Sequence, residues 1–304
     1  VSEVLVECVP NVSEGRNLTV IERLAEAVRA VDGVWLLDVD PDPDHNRTVL
    51  TYVGHPQAVI EAAVRLAAEA ARLIDLNRHE GVHPRIGALD VLPFVPLEGI
   101  TLDGCVEIAV AAGQAIWQRC AIPIYFYGAA ARRPDRVSLP AIRRGQFEKL
   151  RVEALSCAER APDLGGPALH PTAGATAVGA RHPLIAFNVQ LANADLATAQ
   201  AIARAIRASS GGLPGVQAMG VWLASRAQAQ VSTNITDFQR SPLPVVYHAI
   251  EREAEARGAS VASSEIVGLV PEKALNGVRE SDLKLQNFSP DKILERRLRT
   301  LRTQ

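Results

Sequence analysis

The residues with the clearest chemical potential lie in one stretch, "RHEGVHPRIGALD", residues 78–90. His79, Glu80 and His83 satisfy the H-E-x-x-H pattern of zinc metalloproteases, in which two imidazoles one helical turn apart converge on a metal. Local physics opposes a zinc site. Gly81 would cost such a helical turn roughly 1 kcal/mol relative to alanine. Pro84 pushes the residue before it, His83, out of the α region. The stretch is therefore expected to be a loop that binds no metal. A loop histidine at position 83 would be suited to proton transfer, because an ordinary imidazole titrates near neutral pH.

A second concentration of ionisable groups is "DVDPDPDHN", with Asp38, Asp40, Asp42 and Asp44 in alternation. Calcium loops of the EF-hand type need Gly at position six and Glu at position twelve. Counted from Asp38, those positions hold Pro43 and Val49, so the pattern fails. Asp42 and Asp44 read as a solvated hairpin turn, whereas Asp40 stands at the end of a strand. "GATAVGA" (174–180) lacks the G-x-G-x-x-G spacing, and neither a phosphate-loop lysine nor a G-x-S-x-G elbow is present.

The elements that must position these groups follow from periodicity. "EVLVECV" (3–9) alternates as a strand, and Asn17 is placed to cap a helix with Leu18, Ile21, Leu24, Ala25, Val28 and Val31 on one face. "VWLLDVD" (34–40) and "RTVLTYV" (47–53) form a hairpin, and Pro56 opens an Ala-rich helix to about Leu76. "DVLPFVPL" (90–97) is the fourth strand. A helix near 102–119, the strand "IPIYFYG" and a helix near 138–150 extend the unit. Residues 160–174 read as a Pro/Gly-rich loop or interdomain connection. The same order of elements then returns: strand 184–191, helix 195–209, two strands, helix 243–257 and strand 261–269. The expected fold is α+β, with two lobes (1–183 and 184–304), each built on a βαββαβ split βαβ, ferredoxin-like unit.

That topology puts three first-lobe loops on one edge: "PNVSEGRN", "DVDPDPDHNRT" and "RHEGVHPRIGALD". Asn11, Asp40, Arg47 and His83 would gather there, the default place to look for catalysis. A net charge of −2 and 4% aromatics argue against a nucleic-acid groove. No 18-residue apolar run suggests a membrane span, and Cys8, Cys105, Cys120 and Cys157 have no C-x-x-C spacing. A cytoplasmic protein with free thiols is expected.

Several phrases together resemble the formiminotransferase domain of formiminotransferase-cyclodeaminase: "VECVPNVSEGRN", "LLDVDPDPDHNRTVLTYVG", "HPRIGALDVLPFVP", "GATAVGARHPLIAFNVQL", "AQVSTNITDF" and "SEIVGLVP". The likeness runs in colinear order from Val6 to about Arg296. It implies two α/β subdomains that bind folate between them, in a cytoplasmic homodimer. The implied reaction moves a formimino group from N-formimino-L-glutamate to N5 of tetrahydrofolate, the co-substrate. His83 would be the catalytic histidine and Asp40 its carboxylate partner. Arg47, with Asn11 and Arg85, would bind substrate. The implied folate segment is Gly165, Gly166, Pro167, Ala168, Leu169, His170, Pro171, Thr172, Ala173 and Gly174. The cyclodeaminase half is not expected, so either a separate cyclodeaminase takes the product or the donor is N-formyl-glutamate. A non-catalytic folate-binding protein is the rival from another class.

Overall fold

The structure, a computed structural model, describes residues 3–303; residues 1, 2 and 304, which the two predicted lobes include, lie outside the described residues. The chain divides into two compact units, one ending at Arg181 and the other beginning at His182.

The first unit starts with β1 (Leu5–Cys8) and β2 (Asn11–Val12), which run end to end. Helix α1 (Leu18–Arg29) begins where the Asn17 side chain accepts the N–H groups of Thr19 and Val20, which satisfies two of the donors every helix start leaves open. It buries Ile21, Leu24, Ala25 and Val28 of the predicted face, whereas Leu18, also expected there, is exposed. Strands β3 (Val34–Asp42) and β4 (Arg47–Gly54) form the hairpin, and α2 (Pro56–Leu73) follows with proline in its first turn. Helix α2 stops three residues short of the predicted Leu76. Ile74 is already extended, and the Leu76 N–H is satisfied by Thr172 O rather than by a helical acceptor.

Next come β5 (Leu89–Glu98), α3 (Leu102–Cys120), β6 (Ile124–Gly128), the short α4 (Leu139–Ile142), α5 (Gln146–Ser156) and β7 (Thr176–Ala180). The helix predicted near 138–150 is thus two helices broken at Gly145, which takes φ +81°. The seven-stranded sheet runs β3, β4, then β1 and β2 together, β5, β7, β6. Its first strands pair antiparallel, while β5, β7 and β6 are parallel. One face packs against α1, α2 and α3. Val91, Tyr125, Tyr127 and Ala177 form a second cluster with Ile142 and Leu150, so α4 and α5 cover the other side.

Strand β7 was not anticipated, and its discovery corrects the view of 160–174 as an interdomain connection. That segment belongs to the first unit, ahead of a fully buried strand. "TAVGA" has few of the β-branched and aromatic residues that mark strands. It is a strand because it pairs with β5 on one side and β6 on the other, and the approach is close at Gly179, where a Cβ would stand 2.5 Å from Tyr127 O.

The second unit contains β8 (Ile185–Ala192), α6 (Leu196–Ile206), β9 (Val216–Leu223), β10 (Gln228–Ile235), α7 (Leu243–Glu255) and β11 (Ser260–Val267). Its four strands are ordered β11-β8-β10-β9, all antiparallel. Phe187, Val189, Val231, Ile202 and Tyr247 anchor its core, and a basic helix, α8 (Leu294–Arg302), was not predicted. Among the described residues no helix is long and apolar enough to cross a membrane.

Candidate active site

The three first-unit loops meet and are stitched together. Ser13 donates from Oγ to Gly87 O at 2.7 Å, and Gly15 N–H donates to Asn46 Oδ1 at 2.9 Å. Asn46 Nδ2 donates to Glu80 O at 2.8 Å, and Arg16 Nε donates to Pro43 O at 2.8 Å. The fit is tight at the glycines, since a Cβ on Gly15 would lie 2.2 Å from Asp42 O and one on Gly81 would lie 2.4 Å from His45 O. Only glycine lets these backbones approach so closely.

The "HEGVH" segment is irregular, so its two histidines do not share a helical face. His79 is a structural link. Its Nε2 donates to Asn46 O at 2.8 Å, and its Nδ1 accepts from Arg85 Nε at 3.1 Å, so neither nitrogen is open to a metal or a substrate. Burial holds its pKa below the ordinary imidazole range.

His83 is placed differently. Its Nδ1 lies 2.8 Å from Pro84 O and 3.1 Å from Arg47 Nη1, while among the described residues no protein group bonds its Nε2. The imidazole is half-buried and tilts over His45, with ring centroids 5.9 Å apart. Burial, then the positive charges of Arg47 and Arg143 and the neighbouring His45, hold its pKa well below the usual value. His83 is therefore neutral at neutral pH, and the acceptor at Pro84 O favours the tautomer that leaves a lone pair on Nε2.

The carboxylate that organises this site is Asp90, which the sequence did not single out. It is the second residue of β5 and is completely buried. Its Oδ1 accepts the Ile86 N–H at 2.7 Å, and its Oδ2 accepts from Arg47 Nη1 at 2.7 Å and from Arg143 Nη2 at 2.5 Å. Burial alone would raise its pKa, but Arg143 and Arg47 overcome that and hold it below the ordinary value. Two signals were available in the sequence: Asp90 ends the same phrase that carries His83, and Arg143 sits in "AIRRG". Nothing local in the sequence shows that α4 folds back to this point.

Of the other predicted residues, Arg47 opens β4 and is nearly buried. Its Nε donates to Asn11 Oδ1 at 2.8 Å and its Nη1 donates to Asp90 and stands 3.1 Å from His83 Nδ1 as a neighbouring charge, which leaves Nη2 as the nitrogen with no protein partner among the described residues. Burial and the adjacent Arg143 lower its pKa to about 10, so it stays charged at neutral pH. Asn11, on β2, also donates from Nδ2 to Val9 O and so holds Arg47 in place. Asp40 lies on β3 opposite Val49, half-buried, two residues before the strand ends.

Arg85 does not fit the substrate role expected for it. Its guanidinium donates to Glu148 through both terminal nitrogens (2.8 and 2.6 Å), to Gln146 Oε1, to His79 Nδ1 and to the carbonyls of Leu76 and His79. An arginine has five N–H donors, and these acceptors use them all. Burial favoured this outcome, because a buried guanidinium must be paired.

The Gly165–Gly174 segment lies beside the exit of the His83 loop. Ala88 N–H bonds to Ala173 O, Ala175 N–H bonds to Ile86 O, and Asn77 Nδ2 reaches Pro171 O at 3.0 Å. Gly165, Gly166 and Gly174 all have positive φ. His170 Nδ1 accepts the Ala173 N–H at 3.0 Å, which leaves the proton of the neutral ring on Nε2. Gly166, Pro167, Ala168 and Pro171 are exposed.

A deprotonated imidazole backed by a buried arginine–carboxylate–arginine cluster describes a site for proton transfer next to an anion-binding group. Residues 5–181 match the family described as the formiminotransferase domain, N-terminal subdomain, and residues 186–288 match the formiminotransferase domain. The chain belongs to the formiminotransferase family. It is 45% identical to the glutamate formimidoyltransferase of Streptococcus pyogenes serotype M1, over 97% of this chain and 98% of that protein. It is 42% identical to the glutamate formimidoyltransferase of Thermoplasma acidophilum, over 97% of each. The formimidoyltransferase-cyclodeaminase of Sus scrofa is 48% identical over 89% of this chain, and the match spans 51% of that longer protein.

Proposed function

We propose that this chain is a glutamate formimidoyltransferase, moving the formimino group of N-formimino-L-glutamate to N5 of tetrahydrofolate and releasing L-glutamate. The observation that carries the mechanism is the state of His83: neutral, anchored through Nδ1, with Nε2 open. The N5 lone pair attacks the formimino carbon, and the electrons of the C=N bond move to its nitrogen. His83 Nε2 takes the N5 proton. The resulting imidazolium lies beside the Arg47 cation, which makes it a strong acid, so it returns the proton to the glutamate nitrogen as that C–N bond breaks and the lone pair of the imino nitrogen restores the C=N bond. Proton transfer of this kind is typically worth about 10²–10⁴-fold, and positioning of two bound substrates adds more.

Arg47 Nη2 is assigned to a carboxylate of the glutamate donor, and Asp40 to the positive charge of the amidine. The Gly165–Gly174 segment is assigned to folate, with His170 Nε2–H as a donor. Arg85 is a brace for the loop and does not contact substrate. Each unit is read as a split βαβ of ferredoxin-like type, with the division near residue 183. The test is an absorbance assay of 5-formimino-tetrahydrofolate formation with wild type and His83→Ala. Activity in the first and a loss of at least about 100-fold in the second support the assignment; equal rates contradict it.

A further inference from the structure

The segment from Arg143 to Glu148 lies far in sequence from the loops that gather the ionisable residues, yet it touches the His83 loop at three points. Arg143 Nη2 meets Asp90 at 2.5 Å, Phe147 N–H bonds to Arg85 O at 3.0 Å, and Glu148 grips the Arg85 guanidinium. Gly145 permits this approach, because its φ of +81° turns the chain between α4 and α5. Arg143 is 9% exposed, and its Nε is buried with no partner. Buried polar groups are nearly always hydrogen-bonded, so an unused donor on a buried guanidinium calls for an explanation.

We propose that Arg143 is a positioning residue for the proposed transferase reaction: sharing Asp90 with Arg47, it holds the Arg47 guanidinium beside His83 and adds a second buried positive charge to the group behind this imidazole. This rests on the assignment of His83 as the base.

Charge counting shows why two arginines are needed. Asp90 neutralises one of them, so the Arg47–Asp90–Arg143 group carries a net single positive charge. The groups that bear on His83 are Arg47 from β4, Arg143 from the end of α4, His45 from the hairpin turn and, as counter-charge, Asp90 from β5. With Arg143 absent, Arg47 and Asp90 would form a neutral pair. The imidazolium would then be opposed mainly by burial, and the His83 pKa would rise toward the ordinary range. A nearby like charge commonly shifts a pKa by about one unit or more.

The sign of the effect is fixed. His83 works when deprotonated, so activity falls as pH drops through its pKa, and raising that pKa moves the acid limb to higher pH. The experiment follows the imidazole directly by NMR titration of the free enzyme, beside the pH profile of kcat/KM, in wild type, Arg143→Gln and Arg143→Lys. Arg143→Gln is expected to raise both the His83 midpoint and the acid limb by about one pH unit. Arg143→Lys, which keeps the charge but loses the planar fork, is expected to leave both in place and to lower kcat. An unmoved midpoint in Arg143→Gln overturns the proposal. A midpoint that moves while the acid limb does not would instead overturn His83 as the base, so the two failures are distinct. If Arg143→Gln does not fold, Arg143→Lys decides: wild-type kcat, or a shifted midpoint, overturns the proposal.

Discussion

Replacing Asp90 by asparagine should unsettle the first unit more than any other single polar substitution in the site. The carboxylate has no solvent exposure and is the shared acceptor of two buried guanidinium groups. Asparagine keeps an oxygen for the Ile86 N–H but removes the charge, so the group goes from one net positive charge to two. Breaking a buried pair by removing one partner costs about 3–5 kcal/mol, because the remaining charge is left uncompensated. Against a total stability of about 5–15 kcal/mol, that should lower the urea midpoint by roughly 1 M or more. The assay is urea unfolding in a Trp222→Phe background, so that fluorescence comes from Trp35 and Trp117 in the first unit. The second substitution, Arg143→Gln added to Asp90→Asn, restores the wild-type net charge and should recover part of the loss. The non-additivity should be about 0.5–3 kcal/mol. An Asp90→Asn midpoint within error of wild type would refute the buried-charge account, and strictly additive losses in the double variant would refute the shared-acceptor geometry.

His79→Ala should cost stability by cutting the links to Arg85 and Asn46 while keeping most activity, the reverse of His83→Ala; equal activity losses, restored by added zinc, would revive a metal site. Arg47→Lys should raise the donor's apparent KM about ten- to a hundred-fold with a smaller effect on folate, since one charge-assisted contact is worth about 1.5–3 kcal/mol; steady-state kinetics with each substrate varied separately will show whether both values move together. Burial holds His79, His83 and His170 below their unfolded values, so stability is complete above a pH of about 6.5 and is lost as pH falls and the unfolded chain gains protons. The fall in Tm between about pH 7.5 and 5.5 should therefore be smaller in His83→Gln than in wild type, and an identical fall would contradict a depressed His83 pKa.

Much of the site was legible because the grammar of the first unit is local. Asn17 marks a helix start, Pro56 another, and Pro84 takes His83 out of any helix. Once the order of elements is known, the convergence of the three loops follows from topology. What escaped was set by tertiary packing. Strand β7 is made of alanine, glycine, valine and threonine, and its strand state is set by pairing with β5 and β6 rather than by its own residues. Asp90 and Arg143 are 53 residues apart, and their pairing depends on how α4 returns to the sheet. Nothing near Arg85 in the sequence reveals its ion-pair partner. Its partner, Glu148, is 63 residues away.

The central claim is that a neutral His83 moves one proton during formimino transfer. The most direct measurement is a single-turnover reaction of wild type and His83→Ala with tetrahydrofolate and N-formimino-L-glutamate, and in parallel with N-formyl-glutamate, followed by product absorbance. The account predicts rapid product from the formimino donor in wild type and a rate at least about 100-fold lower in His83→Ala, with folate binding retained. Wild-type turnover in His83→Ala, or product from the formyl donor alone, would contradict it.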